Sequence, residues 1–576
     1  MYVVATAGHV DHGKSTLVRA LTGTDPDRLE EERRRGLTIE LGYAWTELPD
    51  LGEVAFVDVP GHERFVTTML AGVGPVPVAM LVVAADDPWM PQAAEHLAAL
   101  DALGVRHGLV VVTRADLADP APALARARAE IDRTALAGAP AVAVSSRTGA
   151  GLDQLRAMLA GVLAAVPSPD ADAAVRLWVD RRFHVKGTGT VATGTLPEGT
   201  IRVGDVLVDP TGAEIRVRGI ESLGRPRSEV AGVARVALDL GGRAPESIER
   251  GTSLLTPDAF AGTTTVDVSL TSADPSARLP EHPVLHIGSA HLGVRARALG
   301  DAHARLVLDR PLPLRIGDRA VLRDPGSRAL WGLRVLDPLP PALGRRGAAA
   351  ARARDLSRHD GSATAELRLR GVVQRKVLER IGAPLAPLPP GTVEYAGWLV
   401  DPLRADELRA DLAELAQGPD GITEAAAAQV LGLPDAALLP ALVPSGVVAA
   451  NGRLRTAGAT LPPADAAALA ALRKHLAGDA FAAPTADELS HLGLDPATVA
   501  RLHRDGHALR LAPGVVLLPE ASAEAGRLLA TLPQPFTTSQ ARAALGTSRR
   551  VVLPLLARLD ATRVTLRLPD DRRRLV

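Results

Sequence analysis

Cysteine is missing altogether from the 576 residues. That excludes a disulfide framework, thiolate metal sites and thiol catalysis. Lysine is nearly missing too. Only Lys14, Lys186, Lys376 and Lys474 occur, and arginine carries the remaining positive charge. Neither sign of charge prevails, with 65 Lys+Arg against 66 Asp+Glu. A general electrostatic pull on nucleic acid is therefore absent, and any such pull must be local. No run of about 18 apolar residues is free of charges and breakers, so no membrane-spanning helix is expected. The segment Met1 to Ala7 lacks a basic leader and reads as a strand, not a signal peptide. The expectation is a cytoplasmic monomer with no membrane contact.

What is present is apolar material for several cores: 47% of the residues are hydrophobic. The length suggests about three to five domains. Up to residue 166, apolar runs at Tyr2–Ala5, Val54–Val57, Ala79–Ala84, Gly108–Val112 and Ala141–Val144 alternate with helical stretches. This predicts βαβ units on a parallel sheet. Pro167 to Asp172 is a linker. Residues 174–340 are β-rich and punctuated by turns such as Leu196-Pro-Glu-Gly199 and Asp209-Pro-Thr-Gly212. They predict antiparallel barrels, with a break near Phe260. From 345 the chain turns helical, in repeats of short helix, Gly turn, second helix and β-hairpin, a winged-helix pattern. The fold class is multidomain: an α/β phosphate-loop domain (1–170), two antiparallel β-barrels (171–260 and 261–343) and winged helices at 344–420, 421–462, 463–522 and 523–576.

The chemistry starts at Gly8-His-Val-Asp-His-Gly13-Lys14-Ser15, between a strand and an apolar helix. Glycines there let backbone N–H groups turn inward around phosphates. Lys14 supplies a point charge, and Ser15 a hydroxyl for Mg²⁺. The expected phosphate contacts are Gly8, Val10, Asp11, His12, Gly13, Lys14, Ser15 and Thr16. Asp58-Val-Pro-Gly61-His62 follows a strand. Asp58 is placed to hold Mg²⁺ through water, and Gly61 to give its N–H to the terminal phosphate. Thr38, within Arg33-Arg-Arg-Gly-Leu37-Thr38-Ile39, is a further Mg²⁺ ligand that would sense that phosphate. Thr113-Arg114-Ala-Asp116 ends a later strand. The Asp116 carboxylate can accept both guanine N1–H and N2–H, a pair that adenine lacks. Ser145, Ser146 and Arg147 are placed at guanine O6. The common form of this motif has Asn and Lys where Thr113 and Arg114 stand. These residues predict a switch that binds GTP and GDP.

With the motifs assembled, the first 340 residues resemble translational GTPases of the elongation factor Tu type. The barrels add Gly187-Thr-Gly189 through Gly194, and Gly199 through Gly204-Asp205. The winged-helix tail makes the whole resemble the bacterial selenocysteine-specific elongation factors. That resemblance implies GTP hydrolysis with His62 orienting the attacking water, and Val10 and Leu37 keeping it out beforehand. It implies that Asp180, Arg181 and Arg235 hold the selenocysteinyl group, since guanidiniums favour an ionised selenol over a seryl hydroxyl. Residues 531–576 hold nine Arg and three Asp, a local positive field. Aromatic stacking platforms are lacking there. By resemblance this end grips an mRNA hairpin through Ser548, Arg549, Arg550, Arg563, Arg567 and Arg572, with Thr547 or Ser548 capping a helix. The implied partners are selenocysteinyl-tRNA, an mRNA hairpin at a UGA codon and the ribosome. The same residues admit two other readings, a general or initiator tRNA carrier and a nucleotide-switched DNA-binding regulator.

Overall fold

The computed structural model describes all residues except 27–31, 33–37, 50, 88, 187–188, 242–247, 273–276, 418–420, 451, 458–460 and 462. The expected switch residues Arg33 to Leu37, and Gly187, lie outside the described residues. The chain forms two compact units. One is Met1–Leu369 with Val373–Pro389, and the other is Arg370–Val372 with Pro390–Val576.

The first unit begins with a six-stranded sheet. Its strands are β1 (Tyr2–Ala7), β2 (Gly42–Leu48), β3 (Gly52–Asp58), β4 (Val78–Ala84), β5 (His107–Thr113) and β6 (Ala141–Ala143). Their spatial order is β2-β3-β1-β4-β5-β6. All neighbours pair in parallel except β2, which runs antiparallel to β3. Every residue of β4 is buried, as a continuous apolar run covered on both faces requires. Leu17, Val18 and Leu21 pack on one face with Val4, Phe56 and Val82. Met69, Leu70, Leu97 and Leu100 pack on the other. The chain reverses direction across the sheet beside β1, and in open α/β sheets ligands bind at such a point, beyond the strands' carboxyl ends. The loop after β1 lies there.

The next domain is an antiparallel eight-stranded sheet between Arg176 and Leu255. Alternation such as that of Glu214–Ser222 sends every second side chain into one core with Leu177, Val217 and Leu238. Just past the first strand of this sheet, Arg176–Trp178, the Asp180 N–H reaches the Thr193 carbonyl of a later strand at 2.9 Å. A closed six-stranded barrel follows, from Gly262–Ser272 to Leu330–Asp337. Arg176 ties the two domains by a bidentate pair with Asp318, both bonds 2.6 Å.

The helix Ala348–Ser357 is pinned to the closed barrel by a buried ion network. Arg352 donates to Asp267 and to Asp337, both at 2.6 Å, and Arg305 donates to Asp267 at 2.7 and 2.9 Å. Nearby, the Ile316 N–H reaches the Ile381 carbonyl at 2.8 Å. The expected winged helix 344–420 therefore straddles the division of the chain, and most of its first half packs with the barrels.

In the second unit, the helix Pro402–Leu415 shares a core with Leu438, Leu442 and Leu454. It belongs to the unit expected to begin at 421. The last two winged helices share a single core that includes Leu472, Leu502, Val516, Leu555 and Leu559. Capping boxes start their second helices, Thr485 with Glu488 and Thr537 with Gln540.

Candidate nucleotide site and the neighbouring arginine cluster

Gly8, Asp11 and Gly13 have φ of +133°, +64° and +80°. These left-handed turns fold the loop after β1 inward and make a nest of N–H groups suited to anions. The helix Lys14–Thr22 starts at once, with Gly13 at its cap. Gly8 is clamped on both sides of its backbone. Its N–H donates to His96 Nδ1 at 2.9 Å, and its carbonyl accepts from Lys14 Nζ at 3.0 Å. Lys14 also donates to the His9 carbonyl at 2.7 Å. Burial, aided by Lys14, pulls His96 down to about 3, so it stays a neutral acceptor. Burial and then His9 pull His12 to about 4. Unfolding would let both imidazoles take up protons below about pH 6.5, whereas in the folded loop they stay neutral down to about 4 and 3, so acid destabilises the loop over that window.

A cavity of about 440 Å³ opens over this loop. Its lining unites Val10, Asp11, Gly13, Lys14, Ser15, Thr16, Thr38, Gly61, Thr113, Arg114, Asp116, Ser146 and Arg147, with Leu117 added. Gly8, His12 and Ser145 lie beneath the surface. A Cβ on Gly61 would run into Lys14 Nζ and the Val10 nitrogen, so a glycine is required for this approach. Ser15 Oγ lies 2.6 Å from Asp58 Oδ2 and 3.0 Å from Thr38 Oγ1. Burial pushes the Asp58 carboxyl up, against Lys14 and the hydroxyls of Ser15 and Thr6. One carboxylate with two hydroxyls is a hard oxygen set, suited to a small hard cation.

Thr113 has a role that the motif alone did not reveal. Its hydroxyl lies 2.7 Å from the His12 carbonyl and 3.2 Å from that of Val83, and so ties the end of β5 to the phosphate loop. Arg114 reaches the Asp11 carbonyl and pairs with Asp86 at 3.2 Å. The two departures from the common motif thus both brace the loop. Asp116 pairs with Arg147 at 2.9 Å. The Ser145 hydroxyl, and then Arg147, hold its carboxyl below the usual range. His62 does not line the cavity. Its Nδ1 accepts from the Arg64 N–H at 3.2 Å, at the start of a short 3₁₀ turn.

Asp180, Arg181 and Arg235 come together where the second domain meets β2. Arg235 grips Asp180 through both terminal nitrogens and lies 3.1 Å from Thr193 Oγ1. Its guanidinium lies 3.9 Å from the centroid of the Tyr43 ring, on β2. Arg181 lies 5.0 Å from the same centroid, donates to the Leu41 carbonyl and pairs with Glu40 at 3.2 Å. Burial raises the Tyr43 hydroxyl far above its ordinary value, and its oxygen has no hydrogen-bond partner among the described residues. The sequence reading missed Tyr43. Its only signal was an aromatic residue five positions past Thr38.

At the far end, Arg550 donates to the carbonyls of Gly514, Ala483 and Pro484 at 3.0, 2.7 and 3.0 Å. It bridges the last two winged helices while remaining exposed. The Thr547 hydroxyl donates to the Phe481 carbonyl at 2.8 Å, and Ser548, at the cap position, makes no side-chain cap bond. Neither hydroxyl caps the helix Arg549–Ala561. Arg567 and Arg572 pair with Asp571 and Asp570, both at 2.5 Å. Arg549 and Arg563 have no ion pair among the described residues.

The family model of the elongation factor Tu GTP binding domain matches residues 1–165. The selenocysteine-specific elongation factor beta-barrel domain matches residues 264–342, and the elongation factor SelB winged helix matches residues 527–574. The selenocysteine-specific elongation factor of Escherichia coli (strain K12) is 41% identical over 358 residues, 60% of this chain and 56% of that protein. The chain is similar to the selenocysteine-specific elongation factors in its barrel, its last winged helix and the 358 residues of that match. The member from Desulfomicrobium baculatum is 36% identical over 355 residues, 58% of this chain and 56% of that protein. The match thus spans about half the length of these curated family members. A crystal structure of a bacterial selenocysteine-specific elongation factor superposes with a TM-score of 0.73 at 26% identity, covering 100% of this chain and 99% of that one. The wider kinship of the family is visible in translation initiation factor 2 subunit gamma of Thermococcus kodakarensis. It is 32% identical over 402 residues, 57% of this chain and 95% of that protein.

Proposed function

We propose that this protein is a GTP-hydrolysing carrier of selenocysteinyl-tRNA that acts on the ribosome at UGA codons marked by an mRNA hairpin. The observation that carries this reading is the arginine pair on Tyr43. Two guanidiniums flank one aromatic ring at a domain junction, and Arg181 touches residues 40 and 41, close to Thr38. Such a site prefers an anionic selenolate to a neutral seryl hydroxyl, since charge-assisted contacts are the stronger. It also lies within reach of a loop that responds to the nucleotide.

In this reading GTP fills the cavity over the loop, with its base at Asp116. Ser15, Thr38 and Asp58 would hold Mg²⁺, which supplies charge neutralisation at the phosphates. Lys14 moves from the loop carbonyls to the terminal phosphates. Gly61 presents its N–H beside Lys14. His62, at the cavity's edge, turns inward on the ribosome to orient water. The last winged helix holds the hairpin through Arg549 and Arg563, with Arg567 and Arg572 in its wing. Holding the message in this way raises the local concentration of the complex.

Arg181→Ala is the direct test. It removes a guanidinium that is partly exposed, so the fold survives. The preference for selenocysteinyl- over seryl-tRNA is expected to shrink about tenfold or more, measured by competition binding. Unchanged preference would assign these arginines to ion pairing alone. Arg235→Ala is a poorer probe, because it strands a buried Asp180. His62→Ala is expected to leave GTP binding intact while ribosome-stimulated turnover falls by about 100-fold or more. A normal single-turnover rate on ribosomes would remove His62 from the reaction.

A further inference from the structure

A second cavity, of about 300 Å³, opens where the nucleotide-binding domain meets the closed barrel. One wall is the carboxyl end of the helix Pro91–Ala102, with Asp101, Gly104 and Arg106. The other is barrel surface, with Ser269, Thr271, Arg319 and Arg334. Arg319 and Arg334 face each other directly across two antiparallel strands. Like charges so placed repel. On its other side Arg334 is paired with Ser269, not with an acid.

Arg106 brings a third guanidinium from the opposite domain. No ion pair or hydrogen bond links these three side chains to a protein group among the described residues. Asp101 is the one carboxylate in the lining, and its Oδ1 accepts the Ala135 N–H at 2.7 Å. Burial, then Arg106 and Arg334, pull the Arg319 guanidinium below its ordinary range. Asp101 opposes that shift, but among the described residues of the lining three guanidiniums meet this one carboxylate, so positive charge is in excess.

The backbone is shaped around this cluster. Gly104, at φ +66°, lies against the Arg319 guanidinium, and a Cβ there would come within 2.5 to 2.7 Å of it. A Cβ on Gly332 would come within 2.8 Å of the Ala102 backbone. Both glycines hold the two walls at a close, defined spacing. A helix carboxyl end attracts cations, which accounts for Arg319. It does not account for Arg334 set directly opposite Arg319 with no acid between them.

We propose that this seam is a binding site for a phosphate-type oxyanion, held by Arg106, Arg319 and Arg334 with the hydroxyls of Ser269 and Thr271. Its occupancy clamps the nucleotide domain to the barrel, because the ligand touches both. A free phosphate compound and an RNA backbone phosphate share this chemistry. The site stands apart from the nucleotide cavity and does not depend on which tRNA is carried.

The test uses the full chain with its nucleotide cavity saturated by GDP and Mg²⁺. Thermal unfolding is followed at constant ionic strength while chloride is exchanged for inorganic phosphate, in wild type, Arg319→Gln and Arg334→Gln. Phosphate stabilises proteins generally, so the difference between wild type and variants is the readout. The stabilisation in excess of the variants' is expected to saturate, with an apparent affinity that falls about tenfold or more in Arg334→Gln. In chloride alone, Arg334→Gln is expected to melt no lower than wild type, since it relieves repulsion. A parallel titration with duplex RNA identifies the source. An Arg334-dependent response to RNA assigns the site to a nucleic-acid backbone, and a response to phosphate alone assigns it to a free phosphate compound. Equal responses of wild type and both variants to phosphate and to RNA would overturn the proposal. So would an Arg334→Gln protein that melts lower in chloride, which marks a structural arginine.

Discussion

Gly8→Ala is expected to weaken binding of both GDP and GTP by about 100-fold or more, from about 3 kcal/mol of strain and steric conflict. Gly8 has φ of +133°, a region closed to alanine. A Cβ there would fall well inside contact distance of the Val82 carbonyl oxygen on β4. That oxygen belongs to a central, wholly buried strand and cannot retreat. The loop must therefore move instead, which breaks the Gly8 N–H bond to His96 and frees the carbonyl that Lys14 uses. Equilibrium titration with a fluorescent GDP, beside thermal melting of the nucleotide-free protein, separates lost binding from lost folding. Affinity within threefold of wild type would mean that the loop's clamp does not set nucleotide binding.

Arg352→Met is expected to destabilise the barrel unit by about 3–5 kcal/mol. Methionine keeps the apolar stem but removes the guanidinium and its charge. Asp267 and Asp337 are fully buried, and both accept from Arg352. Arg305 still pairs with Asp267, and Asp337 still accepts from the Leu339 N–H at 2.9 Å but loses the Arg352 guanidinium. Adding Asp337→Asn to Arg352→Met should recover part of the loss, because the buried charge that Arg352 met is then gone. Urea unfolding of both variants measures this. The chain has several domains, so the transition of the barrel unit must be resolved by its own probe. Destabilisation below about 1 kcal/mol, the range of exposed pairs, would show that the network is open to solvent.

The phosphate loop was legible because its chemistry is local. Positive φ at Gly8 and Gly13, a lysine and a serine all fall within eight residues. Strand β4 was legible because a strand buried on both faces must be apolar throughout. Strand β2 was not, since its more exposed face carries the aromatic residues Tyr43 and Trp45, so its burial alternates but its residue types do not. Missing β2 meant missing Tyr43, whose importance comes from two arginines more than 130 residues away. The roles of Thr113 and Arg550 were hidden for the same reason. Each spends its hydrogen-bonding capacity on a distant carbonyl, and motif reading assigns a side chain to a ligand before it can see such a partner. The arginine-rich end illustrates this best. Its count of charges was visible, but the structure divides them into a clamp, Arg550, paired residues, Arg567, Arg572 and Arg573, and arginines with no ion pair among the described residues, Arg549 and Arg563 among them.

The contact of Arg181 with Glu40 and Leu41 has a thermodynamic corollary. A residue shared between two sites obliges them to exchange free energy equally. If ordering of Thr38 by GTP shifts the hold on Arg181, and so changes cargo affinity by some factor, then cargo must change GTP affinity by that same factor. The strength of the coupling can therefore be measured from either side. A closed cycle of four dissociation constants, with Arg181→Ala as the broken link, would give its value without any knowledge of the path between the sites.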